Sequence, residues 1–109
     1  MDCIFCKIAN KEIPTNLIYE DENVAAFNDL NPQAPVHFLV IPKKHYASLS
    51  EIDSKEAFGN IFSAIPKITA KLGIKEYRTV VNTGADAGQT VFHIHVHVMA
   101  GRKFNWPAG

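Results

Sequence analysis

Three histidines alternate with apolar residues in the segment 92–99, near the carboxyl end of the chain. Alternation with a period of two is typical of a β-strand, whose successive side chains point to opposite faces. The pattern predicts that His93, His95 and His97 line one face of a strand, roughly 6.5–7 Å apart by strand rise. Three imidazoles in one row can serve as metal ligands or as nucleophile, acid and base.

Clustering favours the catalytic interpretation over an ordinary hydrogen-bonded role. Like charges lower one another's pKa, so at least one ring of the row stays neutral near pH 7 and keeps a free lone pair. A neutral imidazole is a competent nucleophile toward an acyl or phosphoryl centre, and its neighbour can act as general acid. A site that only binds metal is the alternative, because alternate strand positions can converge on one ion.

The loop 83–90 that precedes these histidines is rich in small residues. Gly88 allows the backbone to come close to a ligand, and Gln89, Thr90 and the following amides offer hydrogen-bond donors. A plain hairpin loop is the alternative interpretation. Beside a row of histidines, the loop is predicted to cradle a phosphate group.

Two cysteines, Cys3 and Cys6, stand three residues apart near the amino end. The segment around them has no basic stretch followed by a long apolar run, so no secretory signal is recognisable. Without export, the pair is expected to be reduced thiols or metal ligands rather than a disulfide. A helix with two buried thiols and a redox pair both remain open, although no thioredoxin-like βαβ pattern surrounds the cysteines.

The length, the net charge and the apolar runs of the chain exclude several classes of protein. With 109 residues the chain is long enough for one domain, predicted to span 1–109. Eleven basic residues balance eleven acidic ones. The residue counts therefore show no excess of positive charge that would attract a nucleic-acid polymer or an anionic membrane. No apolar run approaches the length of a membrane span. The chain is therefore expected to be a cytoplasmic globular protein.

The remaining pattern predicts an α+β fold that starts with a short helix over residues 2–11. Asp2 is its expected N-cap, and Ile4, Phe5 and Ile8 share one face. Two strands around a polar turn then predict a hairpin, and a buried strand follows a proline-containing loop. The predicted strands are Leu17–Glu20, Val24–Asn28 and 37–41.

The second half of the chain predicts one long helix and two more strands. Apolar residues recur at three- and four-residue steps over 53–72, with Asp53 or Ser54 as N-cap and Gly73 as the stop. Pro66 lies inside this pattern and predicts a kink or two abutting helices. The strands are predicted at 78–82 and 91–99, joined by the loop 83–90.

The sequence His93-Ile94-His95-Val96-His97-Val98-Met99 resembles the defining signature of the histidine triad (HIT) superfamily. The stretches 33–45 and 88–91, together with the tail Trp106-Pro107, resemble its HINT branch of nucleotide phosphoramidate hydrolases. The resemblance implies a HIT-like fold with a five-stranded antiparallel sheet, a short N-terminal helix and one long helix. It also implies a homodimer whose two sheets join into ten strands.

The activity that this resemblance implies is hydrolysis of purine nucleoside 5′-phosphoramidates or acyl-adenylates, without an organic cofactor. His95 would attack the α-phosphorus to form a nucleotidyl-histidine, and water would then release the nucleoside monophosphate. His97 would bind the phosphate and help protonate the leaving amine. His93 would orient the nucleophile through its carbonyl, and His37 would complete a relay. A nucleotide-binding regulatory module and a zinc-stabilised interaction protein are the alternatives.

The resemblance also implies how the nucleotide is held. Asp29 would bind the ribose hydroxyls, and the tail with Trp106 would reach toward the partner's site. Polar and small residues would hold the phosphate and the leaving group: Asn82, Gly88, Gln89 and Thr90. An apolar slot for the base would consist of Ile4, Phe5, Ile8, Phe27, Leu30 and Val91. Asn28 and Asn31 differ from the residues usual in animal members, which affects base recognition.

Some bacterial triad proteins bind zinc through a cysteine pair and two histidines. The matching residues here are Cys3, Cys6, His45 and His93. Two sulfurs and two imidazole nitrogens suit a closed, tetrahedral structural zinc site. Such a site would attach the N-terminal helix to the sheet and leave the other two triad histidines free for catalysis.

Overall fold

Five strands and two α-helices make up the computed structural model, which describes residues 3–109. In chain order the elements are α1 (Ile4–Ala9), β1 (Leu17–Glu20), β2 (Val24–Asn28), β3 (Val36–Pro42), α2 (Lys55–Lys71), β4 (Arg78–Val80) and β5 (Val96–Ala100). Short 3₁₀ turns occupy Leu49–Glu51 and Ala85–Ala87. Among these described residues, no helix has the length and apolar character needed to cross a membrane.

The strands form one antiparallel sheet in the order β1-β2-β3-β5-β4. The central strand β3 runs beside β5 with Leu39 opposite His97 and His37 opposite Met99. Diagonal neighbours on adjacent strands lie within reach of long side chains. The register therefore brings the His37 and His97 side chains together, although they are 60 residues apart in sequence.

Apolar residues cover both faces of the sheet, because successive strand residues point to opposite sides. Helix α2 covers one face, where Ile61, Ile65 and Ile68 pack on Phe38 and Val98. Helix α1 covers part of the other face, and this second cluster includes Phe5, Ile8, Phe27, Leu39 and Ile41. The α+β sheet expected from the sequence is present, with a layer on each side.

Helix α2 is a single helix that continues through Pro66, rather than two abutting helices. Ser54 is its N-cap and accepts a hydrogen bond from the Ala57 amide at 2.9 Å, so Asp53 does not cap it. Pro66 lies on the exposed side of the helix. The carbonyl that loses its N–H partner there can be solvated, which lowers the cost of an internal proline.

Helix α1 is shorter than the predicted span 2–11. Cys3 is its N-cap, and the Cys3 thiol accepts a hydrogen bond from the Cys6 amide at 3.4 Å. The predicted cap Asp2 lies outside the described residues. A cysteine in the capping position places the thiols of Cys3 and Cys6 on the same side of the first turn.

The predicted strands at the carboxyl end need correction. The fourth is Arg78–Val80 rather than 78–82, and the fifth begins at Val96 rather than at residue 91. The cause is a long-range hydrogen bond, because the Ile94 amide donates to the Tyr46 carbonyl at 2.7 Å outside the sheet ladder. His93 and His95 therefore precede the strand, and the three triad histidines do not form one row.

Candidate active site

The triad histidines belong to two different sites. The rings of His95 and His97 lie close together, with centroids 4.9 Å apart, and both side chains line a cleft. The ring of His93 is fully buried and lies beside His45, with centroids 5.0 Å apart. Only the second and third histidines of the motif therefore face a ligand.

His95 has one ring nitrogen occupied and the other free. Its Nδ1 lies 2.8 Å from the carbonyl oxygen of His93. A carbonyl can only accept, so Nδ1 carries the proton and Nε2 of the neutral ring carries the lone pair. The ring edge of Phe5 packs against His95 at a centroid distance of 5.1 Å and fixes its orientation. In its neutral form His95 thus offers the lone pair of Nε2, which is what a nucleophile requires.

His97 receives a hydrogen bond through a relay that starts at the backbone. The Gln33 amide donates to Nδ1 of His37 at 2.9 Å, so the proton of a neutral His37 ring is on Nε2. This Nε2 lies 2.9 Å from Nδ1 of His97, which must accept. The remaining nitrogen of His97, Nε2, consequently carries a proton and is a donor for a ligand in the cleft.

Burial lowers the pKa of His97 from its ordinary value to about 4. The neighbouring imidazoles of His95 and His37 contribute to this lowering of the pKa, and the carboxylate of Asp29 opposes it from 3.8 Å. At neutral pH the ring is therefore uncharged. A bound phosphate anion beside it would favour the protonated form, because opposite charges stabilise each other.

The cleft beside these histidines has a volume of about 580 Å³, within the range of small-molecule sites. Helix α1 supplies one wall through Ile4, Phe5 and Ile8, and Phe27 and Leu39 of the sheet form its floor. Polar groups converge at one end, where His95, His97 and Asp29 meet. An apolar slot that ends in a few polar groups suits a ligand with a flat apolar part and a charged part.

Ten of the residues named from the sequence line this cleft together: Ile4, Phe5, Ile8, Phe27, Asp29, Leu30, Thr90, Val91, His95 and His97. Asn28, which the resemblance connects with base recognition, lines the cleft as well, and five further lining residues were not anticipated: Ile13, Pro14, Thr15, Asn16 and Leu39. Leu39 was accessible to sequence reasoning, because it lies two residues after His37 on a predicted strand and shares its face. The connection 13–16 carries no comparable signal.

Three residues of the predicted phosphate cradle lie outside the cleft lining. Gln89 is buried, and its side-chain amide donates to the carbonyls of Ala47 and Val91 while its oxygen accepts from the Gly84 amide. Gly88 has a φ of +100°, and a Cβ built there would lie 3.5 Å from Nδ2 of the Asn82 side chain. These residues shape the loop that presents Thr90 to the cleft.

Trp106 also lies away from the cleft of its own chain. Its ring is exposed and stacks on the guanidinium of Arg78 in β4, with 5.5 Å between the guanidinium carbon and the ring centroid. Arg78 also donates to the Asn105 carbonyl at 3.2 Å. The tail is thereby attached to the edge of the sheet formed by β4.

Four side chains converge behind the cleft in a second cluster. Nδ1 of His93 lies 3.4 Å from Sγ of Cys3, 3.5 Å from Sγ of Cys6 and 3.2 Å from Nδ1 of His45. A tetrahedral zinc site with ordinary bond lengths has S···N edges of about 3.6 Å and N···N edges of about 3.3 Å. The donor atoms therefore already have the spacing of such a site.

The protonation of His93 also fits a metal ligand. Its Nε2 lies 2.8 Å from the Pro42 carbonyl oxygen and must donate, which leaves the lone pair on Nδ1 directed at the cluster. Burial lowers the pKa of His93 to about 4, so the ring is neutral. Burial and the adjacent Cys3 thiol raise the pKa of Cys6 to about 11, and a bound cation would replace these thiol protons.

A third group of potential ligands, Asp29, His37 and His97, is also close enough to hold an ion. Its hydrogen bonding opposes this role. Nε2 of His37 carries the ring proton because Nδ1 accepts from the Gln33 amide, so a metal would have to displace that proton. The donor set therefore suits a proton relay, in contrast to the sulfur-containing cluster.

Comparisons of the sequence with known proteins all point to the same family. The family model described as "HIT domain" matches residues 10–104. An uncharacterized HIT-like protein from Synechocystis sp. is 47% identical over 111 residues, covering 99% of this chain and 97% of that protein. Protein HitA of Neisseria gonorrhoeae is 44% identical over 101 residues, covering 90% of this chain and 94% of HitA.

Solved structures agree with the fold. The crystal structure of a HIT family hydrolase from Legionella pneumophila superposes with a TM-score of 0.94 at 44% identity, covering 99% of this chain and 100% of that chain. A histidine triad protein from Clostridium difficile superposes with a TM-score of 0.91 at 51% identity, covering 96% of this chain and 95% of that chain.

Proposed function

The chain belongs to the HIT domain family, and from that premise we propose that it hydrolyses purine nucleoside 5′-phosphoramidates or acyl-adenylates to the nucleoside monophosphate. This activity assigns it to the HINT-like branch. The observation that carries the proposal is the unprotonated Nε2 of His95 in an apolar cleft beside a donor on His97. The description of the Legionella pneumophila relative as a hydrolase supports it.

In the first step the lone pair on Nε2 of His95 attacks the α-phosphorus. A nitrogen–phosphorus bond forms to His95, and the bond from phosphorus to the leaving amine breaks. The amine leaves with the Nε2 proton of a His97 ring that the bound phosphate anion has brought to its protonated form, and the ring is left neutral. General acid assistance of this kind typically contributes 10²–10⁴-fold.

In the second step water attacks the same phosphorus and breaks its bond to His95. The water proton passes to the ring of His97, and the nucleoside monophosphate is released. The His93 carbonyl holds the proton on Nδ1 of His95 through both steps. His95 therefore returns to its original tautomer without a rotation of the ring.

Substrate binding follows from the lining of the cleft. The purine occupies the apolar slot between α1 and Phe27, and Asp29 binds the ribose hydroxyls. Asp29 already accepts from the Asn31 amide through Oδ1 at 2.8 Å, so its remaining lone pairs serve the sugar. Thr90 contacts the phosphate, and Asn82, Gly88 and Gln89 act by shaping the loop that carries it.

Zinc is the proposed structural partner of the cluster, held by Cys3, Cys6, His45 and His93. The ion would supply a cross-link between distant segments and no chemistry to the reaction, since none of its ligands touches the cleft. A reducing, cytoplasmic location is proposed as well, because thiolate ligands must stay reduced to hold the ion. The protein is further proposed to form a homodimer, with Trp106 of each tail reaching toward the partner's cleft.

A nucleotide-binding module without significant turnover is the second candidate function. The observation that favours it is the lowered pKa of His97, about 4, which leaves little of the acidic form at neutral pH. Only a substrate whose phosphate raises that pKa receives a proton from His97. Turnover and binding must therefore be measured separately.

The test is the replacement His95→Ala, assayed with adenosine 5′-phosphoramidate. Loss of the nucleophile is expected to lower kcat by several orders of magnitude, while binding of adenosine monophosphate persists. Lys75→Ala, at an exposed position after α2, is the control and should retain full activity. A phosphorus-labelled nucleotidyl group on wild-type His95, trapped by rapid quenching, would identify the intermediate. If His95→Ala keeps more than a tenth of the wild-type kcat, the proposed nucleophile is wrong.

A further inference from the structure

Helix α1 forms a wall of the cleft but has little to hold it in place by itself. It has six residues, Ile4–Ala9, whereas isolated helices shorter than about 12–15 residues are marginal in water. Ile4 is half exposed beside the cleft, whereas Phe5 and Ile8 pack on apolar residues of the sheet. Further contacts of the first turn lie on the other side of the helix.

The cysteine–histidine cluster supplies those contacts, because it joins three segments that are distant in sequence. Cys3 and Cys6 belong to the first turn of α1, His45 follows β3, and His93 precedes β5. Sγ of Cys6 lies 3.3 Å from Nδ1 of His45 and 3.5 Å from Nδ1 of His93. An ion held by these four residues would attach the wall of the cleft to the sheet.

The cluster also contacts the proposed nucleophile, His95, through His93. His93 directs Nδ1 to the cluster, donates from Nε2 to the Pro42 carbonyl, and accepts the His95 Nδ1–H at its own carbonyl. Phe5 provides a second path, because it lies between Cys3 and Cys6 in sequence and its ring edge rests on His95. Fixing the cluster therefore fixes both the tautomer and the orientation of His95.

We propose that the Cys3–Cys6–His45–His93 cluster is the anchor that closes α1 over the cleft and positions His95, so that zinc occupancy sets the affinity for nucleotides. The inference rests on the proposed nucleotide site and goes beyond it by assigning a control over that site. His45 and His93 act as positioning residues, since neither lines the cleft.

The test uses a ligand residue that is far from the nucleotide. In His45→Gln the cluster loses a donor, and the cleft lining is unchanged. Cys3→Ser is the second variant, because a serine keeps the N-cap hydrogen bond of α1 and removes the thiolate. Ile68→Val is the matched control, since it removes a methyl group from the core on the α2 side of the sheet.

Three quantities are measured on full-length protein with added zinc and after chelation: zinc content, hydrogen exchange of the α1 amides, and affinity for adenosine monophosphate by calorimetry. Wild-type protein is expected to hold about one zinc per chain. Chelation and both ligand variants are expected to speed exchange of the Lys7 and Asn10 amides, which bond to the Cys3 and Cys6 carbonyls, and to weaken nucleotide binding about tenfold or more. Ile68→Val should leave both unchanged.

Each other outcome overturns the inference in an identifiable way. Wild-type protein that takes up no zinc would remove the anchor. Faster α1 exchange with unchanged nucleotide affinity would show that the anchor does not control the cleft. Equal effects in Ile68→Val would assign the result to general stability. If the α1 amides of zinc-loaded wild-type protein are protected from exchange but the protein binds no nucleotide, the proposed function is wrong as well. The exchange data then still show whether the cluster anchors α1.

Discussion

A hydrogen bond at one ring nitrogen decides what the other nitrogen of each histidine can do. The His93 carbonyl leaves His95 with a lone pair toward the cleft, and the Pro42 carbonyl leaves His93 with a lone pair toward the thiols. The Gln33 amide does the opposite for His37, whose free position is a donor. One residue type is thus suited to the proposed roles of nucleophile, ligand and relay because three backbone groups are placed differently.

The lowered pKa of His97 predicts how its contribution to stability depends on pH. The ring binds a proton near pH 6.5 in the unfolded chain but only near pH 4 in the folded protein. Between these values the unfolded state binds more protons, so the free energy of unfolding falls as the pH falls. Replacement by Gln keeps an acceptor for His37 and removes this titration.

The measurement is urea denaturation of wild type and His97→Gln at pH 7 and at pH 4.5, each pair in the same buffer. The stability of wild type relative to the variant is expected to drop by about 2–3 kcal/mol between the two pH values. Comparison at equal pH cancels acid effects on the cysteine–histidine cluster, which His97 does not contact. A difference that stays constant from pH 7 to 4.5 would show that His97 is not held neutral.

Local spacing predicted part of the site, and long-range contacts determined the rest. His95 and His97 follow from alternation, which any single strand displays. His93 was placed in the same row, and its departure depends on the Ile94 amide bonding to Tyr46, 48 residues away. Gln89 was expected to face a phosphate, but its side-chain amide donates to the Ala47 carbonyl, 42 residues away, and to the Val91 carbonyl. Such partners have no signature in the neighbouring sequence.

At the scale of elements, the hairpin of β1 and β2 was predicted with correct bounds because the polar turn between its two apolar strands is a local signal. The start of β5 was not, because the Ile94 amide bonds to the distant Tyr46 carbonyl instead of continuing the ladder. At its other end β5 stops at Ala100, which pairs with Val36, the first residue of β3. The chain then turns at Gly101, directly beside Pro35.

Gly101 is predicted to tolerate no side chain. Its φ is +94°, and a Cβ there would lie 2.9 Å from the Cβ of Pro35, so Gly101→Ala combines backbone strain with a steric clash. The expected loss is about 1–3 kcal/mol in the free energy of unfolding. Thermal and urea denaturation of the purified variant measure it.

Gly59 is the matched control for this substitution. It lies within α2, and nothing is within 4 Å of the position its Cβ would take. Gly59→Ala is therefore expected to stabilise the protein by about 0.5–1 kcal/mol. If Gly101→Ala is as stable as Gly59→Ala, the close approach at the end of β5 does not restrict the chain.

At the scale of the whole molecule, the β4 edge of the sheet has no further strand beside it within residues 3–109. Strand β4 has three residues and a neighbour on one side only, whereas the edge at β1 is flanked by ion pairs of Glu20 with Lys11 and Lys43. Exposed strand edges are prone to pairing with another chain. The flank of α2 adds apolar surface, because Phe58 and Phe62 are more than a third exposed.

These features predict a two-fold homodimer, in which β4 edges and the α2 flanks of two copies meet. Light scattering at micromolar concentration should give twice the chain mass of 12.1 kDa. Phe62→Glu places a charge in the expected interface and should yield monomers, whereas Ser63→Glu, about 100° further round the same helix, should remain dimeric.

Deletion from Trp106 onward should leave the dimer intact and alter substrate preference, because the tail is proposed to act at the partner's cleft. A monomeric mass for wild-type protein would contradict the dimer, and with it the role of the tail.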